Sequence, residues 1–243
     1  LNPIEIKKRA ASLLYTTKPN PYFVTAVYVI FFQAISTLGL NFGGQPFMVD
    51  LEAVTVGNYE NAIMFVPENM TTPTTIFLIA AELVFIALDF GYYSYCLHAG
   101  REQPAGFFDL MDGFLVFFRA VALRLVRGIL VYLGFALFLV PGVFLAYLYS
   151  MSPRLLLDHP DWSPFHCMRE SRHLMQSRLK EYFFLRLSLI GWNIIALFPL
   201  ASIIAKPYST LCETEFYLRI TVTAPREIDE TSRDSDEKPP WEY

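Results

Sequence analysis

Paired cysteines, catalytic motifs and charge are all in short supply in this chain. Three cysteines, Cys96, Cys167 and Cys212, stand far apart among 243 residues. That spacing excludes a disulfide framework and a cysteine-based metal module, and each thiol reads as an ordinary small apolar residue in or beside a helix. Charged residues make up 17% of the chain, where a soluble domain carries about a quarter. There is no H-E-x-x-H pair, phosphate-binding glycine loop or dinucleotide fingerprint, and the Gly-Gly pair, Gly43-Gly44, lies in a polar loop. No catalytic residue, cofactor or metal is expected, and no nucleic-acid partner.

What the chain does have is long apolar runs. Apolar residues reach 54% and aromatics 16%, with a mean hydropathy of +0.36. The excess is gathered into segments of membrane-crossing length, the pattern of several spans rather than of one large core. The stretch Val126–Leu157 organises the rest, because Pro141-Gly142 interrupts it midway. A single crossing would put Arg154, Arg169, Arg172, Arg178, Lys180 and Arg186 outside, against the excess of Lys and Arg found on cytoplasmic loops. A tight outer turn at Pro141-Gly142 avoids this, since proline cannot continue the hydrogen-bond ladder and glycine tolerates the turn.

From the N-terminus, Asn2-Pro3-Ile4-Glu5 is a helix start. Ile6, Ala10, Leu13 and Leu14 share one face beside Lys7, Lys8 and Arg9, as in an amphipathic helix on a membrane surface. No cleavable leader pattern precedes the first span, and Leu1 in place of Met suggests a trimmed start. The first span is expected at Tyr22–Leu40. Residues 41–75 form a loop with Asp50, Glu52, Glu60 and Glu68 but no Lys or Arg, so the loop is expected outside. A second span, Thr75–His98, returns inward, and an amphipathic stretch follows to Phe118. Ser163-Pro164 starts a basic surface helix that sets Phe165, Met168, Met175 and Leu179 against Arg169, Arg172, His173, Gln176 and Lys180. A fifth span is expected at Tyr182–Ile204, broken at Lys206-Pro207-Tyr208, with a last short helix to Ile220 carrying Glu213 and Glu215. The acidic residues from Ala224 onward lack the apolar content to pack and read as disordered.

One constellation carries chemistry. Glu82 and Asp89, seven residues apart, share a helix face, opposite Arg119, Arg124 and Arg127 of the next span. Charges in hydrocarbon cost about 2.5–3.5 kcal/mol each on insertion scales, so they pair or line a wet cavity. These five residues are the candidate binding cluster. Structural pairing between adjacent helices is the plainer account, and a polar path or headgroup site is the functional one. His159, His166 and His173 cluster with Asp158, Asp161 and Cys167, but without paired-ligand spacing. Cys167 has arginines nearby that would lower its pKa, but no oriented base.

Val140-Pro141-Gly142 and the residues after it resemble a family of bacterial integral membrane proteins known as domain of unknown function 975. The similar residues are Pro141, Gly142, Tyr147, Ser150, Asp158, Pro160, Ser171 and Met175. Phe184, Leu187, Ser188, Gly191, Trp192, Pro207, Tyr208, Phe216 and Tyr217 continue the pattern. KKRAASLL near the N-terminus and the Gly91–Phe114 region are also similar, while Ser177-Arg178-Leu179 departs from it. The resemblance implies a six-helix bacterial membrane protein and brings no established activity.

The expected fold is an all-α membrane protein, a bundle of about six transmembrane helices, two of them short, with interfacial amphipathic helices. Residues 1–21 form the cytoplasmic N-terminal helix, 22–223 the multi-spanning domain and 224–243 the disordered acidic tail. The expected function is that of a non-enzymatic protein of the bacterial plasma membrane with both termini cytoplasmic. It would support envelope or transport processes through membrane lipids or a protein partner. The alternative is a small-solute or lipid translocator using the intramembrane charges.

Overall fold

The computed structural model describes residues 2–41, 44–49, 63–67, 72–195 and 199–223. The expected disorder of residues 224–243 lies outside this set. Nearly all of the described chain is helical. Helix α1 spans Pro3–Thr16, α2 Pro21–Asn41, α3 Thr72–Gly100, α4 Asp112–Leu115, α5 Phe117–Leu137, α6 Leu139–Leu148, α7 Ser152–Asp158, α8 Pro164–Gln176, α9 Leu179–Ile195 and α10 Pro199–Thr223. A 3-10 turn, Phe107–Met111, precedes α4. The loop expected between the first two spans holds a two-stranded antiparallel ribbon, β1 Gly44–Val49 and β2 Ile63–Pro67.

Three segments are long and apolar enough to cross a membrane: Ile79–Gly100, Phe117–Leu137 and Leu139–Asp158, the last running through α6 and α7. Pro21–Ile35 is a shorter apolar helix. These are fewer than the six expected. Among the remaining helices, α9 has 17 residues and carries Lys180, Glu181 and Arg186, and α10 carries Lys206, Glu213, Glu215 and Arg219. Each charge lowers the mean hydropathy of the segment that bears it.

The reversal in the organising stretch is real but sits three residues earlier than expected. Helix α5 ends at Leu137, its cap Phe138 has an extended backbone (φ −162°, ψ 156°), and α6 begins at Leu139. Pro141 then falls in the first turn of α6, where a missing N–H costs nothing, so proline helps to start the return limb rather than end the outgoing one. Both backbone groups of Phe138 are satisfied: its N–H donates to the Gly134 carbonyl (3.1 Å) and its carbonyl accepts from Gly142 (3.3 Å). A Cβ on Gly134 would lie 3.0 Å from the Gly142 Cα, so glycine on both limbs lets the two backbones approach. The arms also return to the same end. Arg101, just past α3, pairs at 2.6 Å with Asp158, the last residue of α7.

Two further expectations are corrected. The α1 face of Ile6, Ala10, Leu13 and Leu14 is buried as the pattern required, but it packs on α10 rather than lying free on lipid. Arg9 reaches Glu215 at 3.1 Å and Glu5 reaches Arg219 at 3.3 Å across that contact. An amphipathic pattern specifies an apolar neighbour and not its kind. At the other end of the chain, Pro207 does not break a span. It lies inside α10, which runs unbroken for 25 residues.

The surface helix α8 starts as expected, with the Ser163 side chain accepting from the His166 N–H and Pro164 in the first turn. Cys167, Met168, Ser171, Leu174 and Met175 are buried, while Arg169, Arg172, His173 and Gln176 are exposed. Phe165, expected on the apolar face, is exposed instead. Buried Ser171 accepts from the Met151 N–H (3.3 Å) and donates to the Leu148 carbonyl (2.9 Å). It thereby satisfies backbone groups at the break between α6 and α7.

Candidate functional site

Of the five residues of the expected cluster, the structure brings Asp89 and Arg124 together. Asp89 is buried on α3, and its Oδ2 lies 4.0 Å from Nη1 of the partly exposed Arg124 on α5. Tyr28 of α2 donates its hydroxyl to the other carboxylate oxygen of Asp89. Arg127, one turn further along α5, is buried. Glu82 and Arg119 are exposed, each in the N-terminal part of its helix. The pairing expected between adjacent helices is therefore present for Asp89 and Arg124, at the limit of an ion-pair distance. It is joined by a phenol that the sequence pattern did not suggest.

Around this pair the residues are aromatic and cationic. The Lys206 ammonium of α10 sits 3.7 Å from the centroid of the Tyr28 ring and 5.5 Å from that of Tyr92. Such a placement over the negative ring face contributes about 2 kcal/mol when desolvated. Tyr92 in turn shares a 2.7 Å hydrogen bond with Thr25. Helices α2, α3, α5 and α10 are thus tied together at one level by one carboxylate, two cations and two phenols.

A second and more deeply buried network was not anticipated. Glu213 of α10 accepts from two arginines, one on each oxygen: Arg154 of α7 at 3.1 Å and Arg186 of α9 at 2.9 Å. Arg154 and Arg186 are only 2% and 4% exposed, so neither is the solvent-facing charge that the orientation argument took it to be. Arg154 also points Nε at Thr214 (3.4 Å) and lies over the Tyr93 ring (5.1 Å). Arg186 donates Nε to the Tyr182 hydroxyl at 3.1 Å. The sequence did hold a signal: two arginines and a glutamate within segments otherwise apolar enough to be read as spans. Such residues are expensive unless they find one another.

Among the described residues, His159, His166 and His173 join no group of metal-ligand type. His159 stacks on Trp162 with centroids 3.9 Å apart, and His166 meets the same indole edge-on at 4.4 Å. Asp158 is engaged by Arg101 and by the Tyr217 hydroxyl (2.6 Å). Cys167 is fully buried, and burial pushes its thiol up to about 11 despite the Arg119 charge nearby. The lowering expected from the nearby arginines is therefore outweighed by burial, and an activated thiol needs exposure and a lowered pKa.

A groove of about 700 Å³ opens between α1 and the end of α3, lined in part by Arg9, Ser12, Thr16, Lys18 and Glu102. None of the five expected cluster residues lines it.

Residues 111–224 match the family described as "Protein of unknown function (DUF975)". The match covers the hairpin, the surface helix and the Arg154–Glu213–Arg186 network, and it bears out the resemblance read from Pro141-Gly142 onward. No curated protein matches the chain, and no solved structure does.

Proposed function

We propose that this is a non-catalytic integral membrane protein of the bacterial plasma membrane, with both termini cytoplasmic, that supports envelope or transport processes through lipid or protein partners. The observation that carries the reading is the use made of the buried acids. Asp89 engages Tyr28 and Arg124, Glu213 engages Arg154 and Arg186, and Glu215 engages Arg9. Each joins its own helix to others, which is what charges do when they fix one packing arrangement. The outward side chains of the hairpin suit lipid: Phe118, Leu125, Ile129, Leu133, Leu137 and Val140 are all exposed.

The groove beside α1 supports a lipid partner. Arg9 and Lys18 on its wall carry positive charge suited to a phosphate headgroup. Purification of the native chain in mild detergent, with lipid and protein mass spectrometry of what is retained, tests the proposal. Stoichiometric phospholipid or a reproducible partner is expected. Proteoliposomes containing this chain alone that move a solute or lipid across the bilayer would overturn it and establish the translocator alternative.

A further inference from the structure

We infer that His98, Asp109 and Asp112 form a binding site for a divalent transition-metal ion of the zinc or manganese class, at the end of α3 where the 3-10 turn folds back. The ligand-type atoms of these residues all lie within 4.8 Å of one another. An ion held at about 2.0–2.2 Å from each needs ligand atoms roughly 3–3.5 Å apart, a change that side-chain rotation supplies. His98 Nδ1 and Asp109 Oδ2 are already 3.0 Å apart.

The supporting contacts are those that a metal site needs. Gly106 donates its N–H to Asp109 Oδ2 at 2.9 Å, and Ser94 donates its hydroxyl to Asp112 Oδ2 at 2.7 Å. Outer hydrogen bonds of this kind hold carboxylates in place for an ion. The backbone beneath is equally fixed. A Cβ on Gly91 would fall 2.0 Å from the Leu110 carbonyl oxygen, and one on Gly113 would fall 1.8 Å from that of Ala87. Two glycines therefore let the turn lie backbone against backbone on α3, which sets Asp109 and Asp112 opposite His98. The His98 and Asp109 side chains are 34% and 16% exposed, so water can fill the remaining positions. One nitrogen and two carboxylate oxygens suit zinc or manganese better than magnesium or calcium, which prefer oxygen alone. This site is separate from the buried charges and does not rest on the function proposed above.

The test uses the full chain in detergent after chelator treatment and desalting. Zinc is titrated by calorimetry and manganese by electron paramagnetic resonance, with wild type, Asp112→Asn and His98→Gln compared. One ion per chain is expected, with affinity at least about tenfold weaker in both variants. Asp112→Asn keeps an acceptor for Ser94, so it decides the matter if His98→Gln does not fold. Failure of the wild type to bind a stoichiometric ion would overturn the site and leave His98–Asp109 as a structural clamp. Equal affinity in wild type and Asp112→Asn would overturn it as well, by placing the ion elsewhere.

Discussion

Neutralising Glu213 should be among the most damaging single changes in the protein. Its carboxylate answers two guanidinium groups at 2.9 and 3.1 Å, and both arginines are less than 5% exposed. Glu213→Gln keeps the size and a hydrogen-bonding oxygen but leaves two cations in the interior with no anion between them. Breaking one buried pair costs about 3–5 kcal/mol, and two stranded partners place this variant at the upper end of that range. Replacing all three residues by apolar ones, Glu213→Met with Arg154→Met and Arg186→Leu, removes the charges together. That combination should recover most of the loss, because apolar replacement of a whole buried ionic group is often neutral or stabilising. Reversible unfolding in mixed micelles with increasing denaturing detergent, followed by circular dichroism, gives both values. A Glu213→Gln variant within about 1 kcal/mol of wild type would mean that the arginines are solvated, and the network would then not be what locks α7, α9 and α10.

Asp89→Asn should cost about 2 kcal/mol, mostly through the bond from Tyr28 to a charged acceptor. A double-mutant cycle with Arg124→Gln should show a further coupling of about 1 kcal/mol or less, since the ion pair is 4.0 Å long and Arg124 is a quarter exposed. Zero coupling would remove Arg124 from the cluster. Gly113→Ala should destabilise by more than about 3 kcal/mol, because its Cβ meets a backbone oxygen that cannot move aside. Gly191→Ala has nothing within 4 Å of the added carbon and should gain about 0.5–1 kcal/mol in helix propensity. A similar result for the two glycines in thermal denaturation would argue against the close packing of the turn on α3. Native Cys167 should resist maleimide until the protein is unfolded, and a cysteine placed at exposed Ser177 should react only from the cytoplasmic side. Labelling of the Ser177→Cys variant in intact cells would reverse the proposed sidedness.

The local signals in the sequence are legible where the physics is local. Asn2 caps α1, Ser163 caps α8, and the expected second span differs from the apolar part of α3 by a few residues. Cap chemistry and hydropathy depend on neighbours within a few positions, so they survive without knowledge of the tertiary structure. Asp89 and Arg124 could be matched because their helices are consecutive and rise by a fixed amount per residue. Glu213 could not be matched with Arg154, because 59 positions separate them and helices that are not consecutive meet between. The same acid that makes α10 look poor as a span is what holds it in the bundle. The turn at Phe138 was displaced for a different reason: proline marks a helix start as well as a helix stop, and periodicity does not tell the two apart.

The hairpin of α5 and α6 has one more consequence, for how the chain enters a bilayer. Between Arg127 and Arg154 there is no charged residue at all, and the tip, Leu137 to Val140, is apolar and outward-facing. Phe138 already has both backbone groups bonded within the hairpin, so the residue at the reversal itself needs no hydrogen-bond partner from lipid. Nothing in this unit has to be carried across to the far side. The two limbs can enter together from the side that holds Arg119 and Asp158, as a closed wedge, with no polar loop hauled through lipid and no threading of one limb after the other.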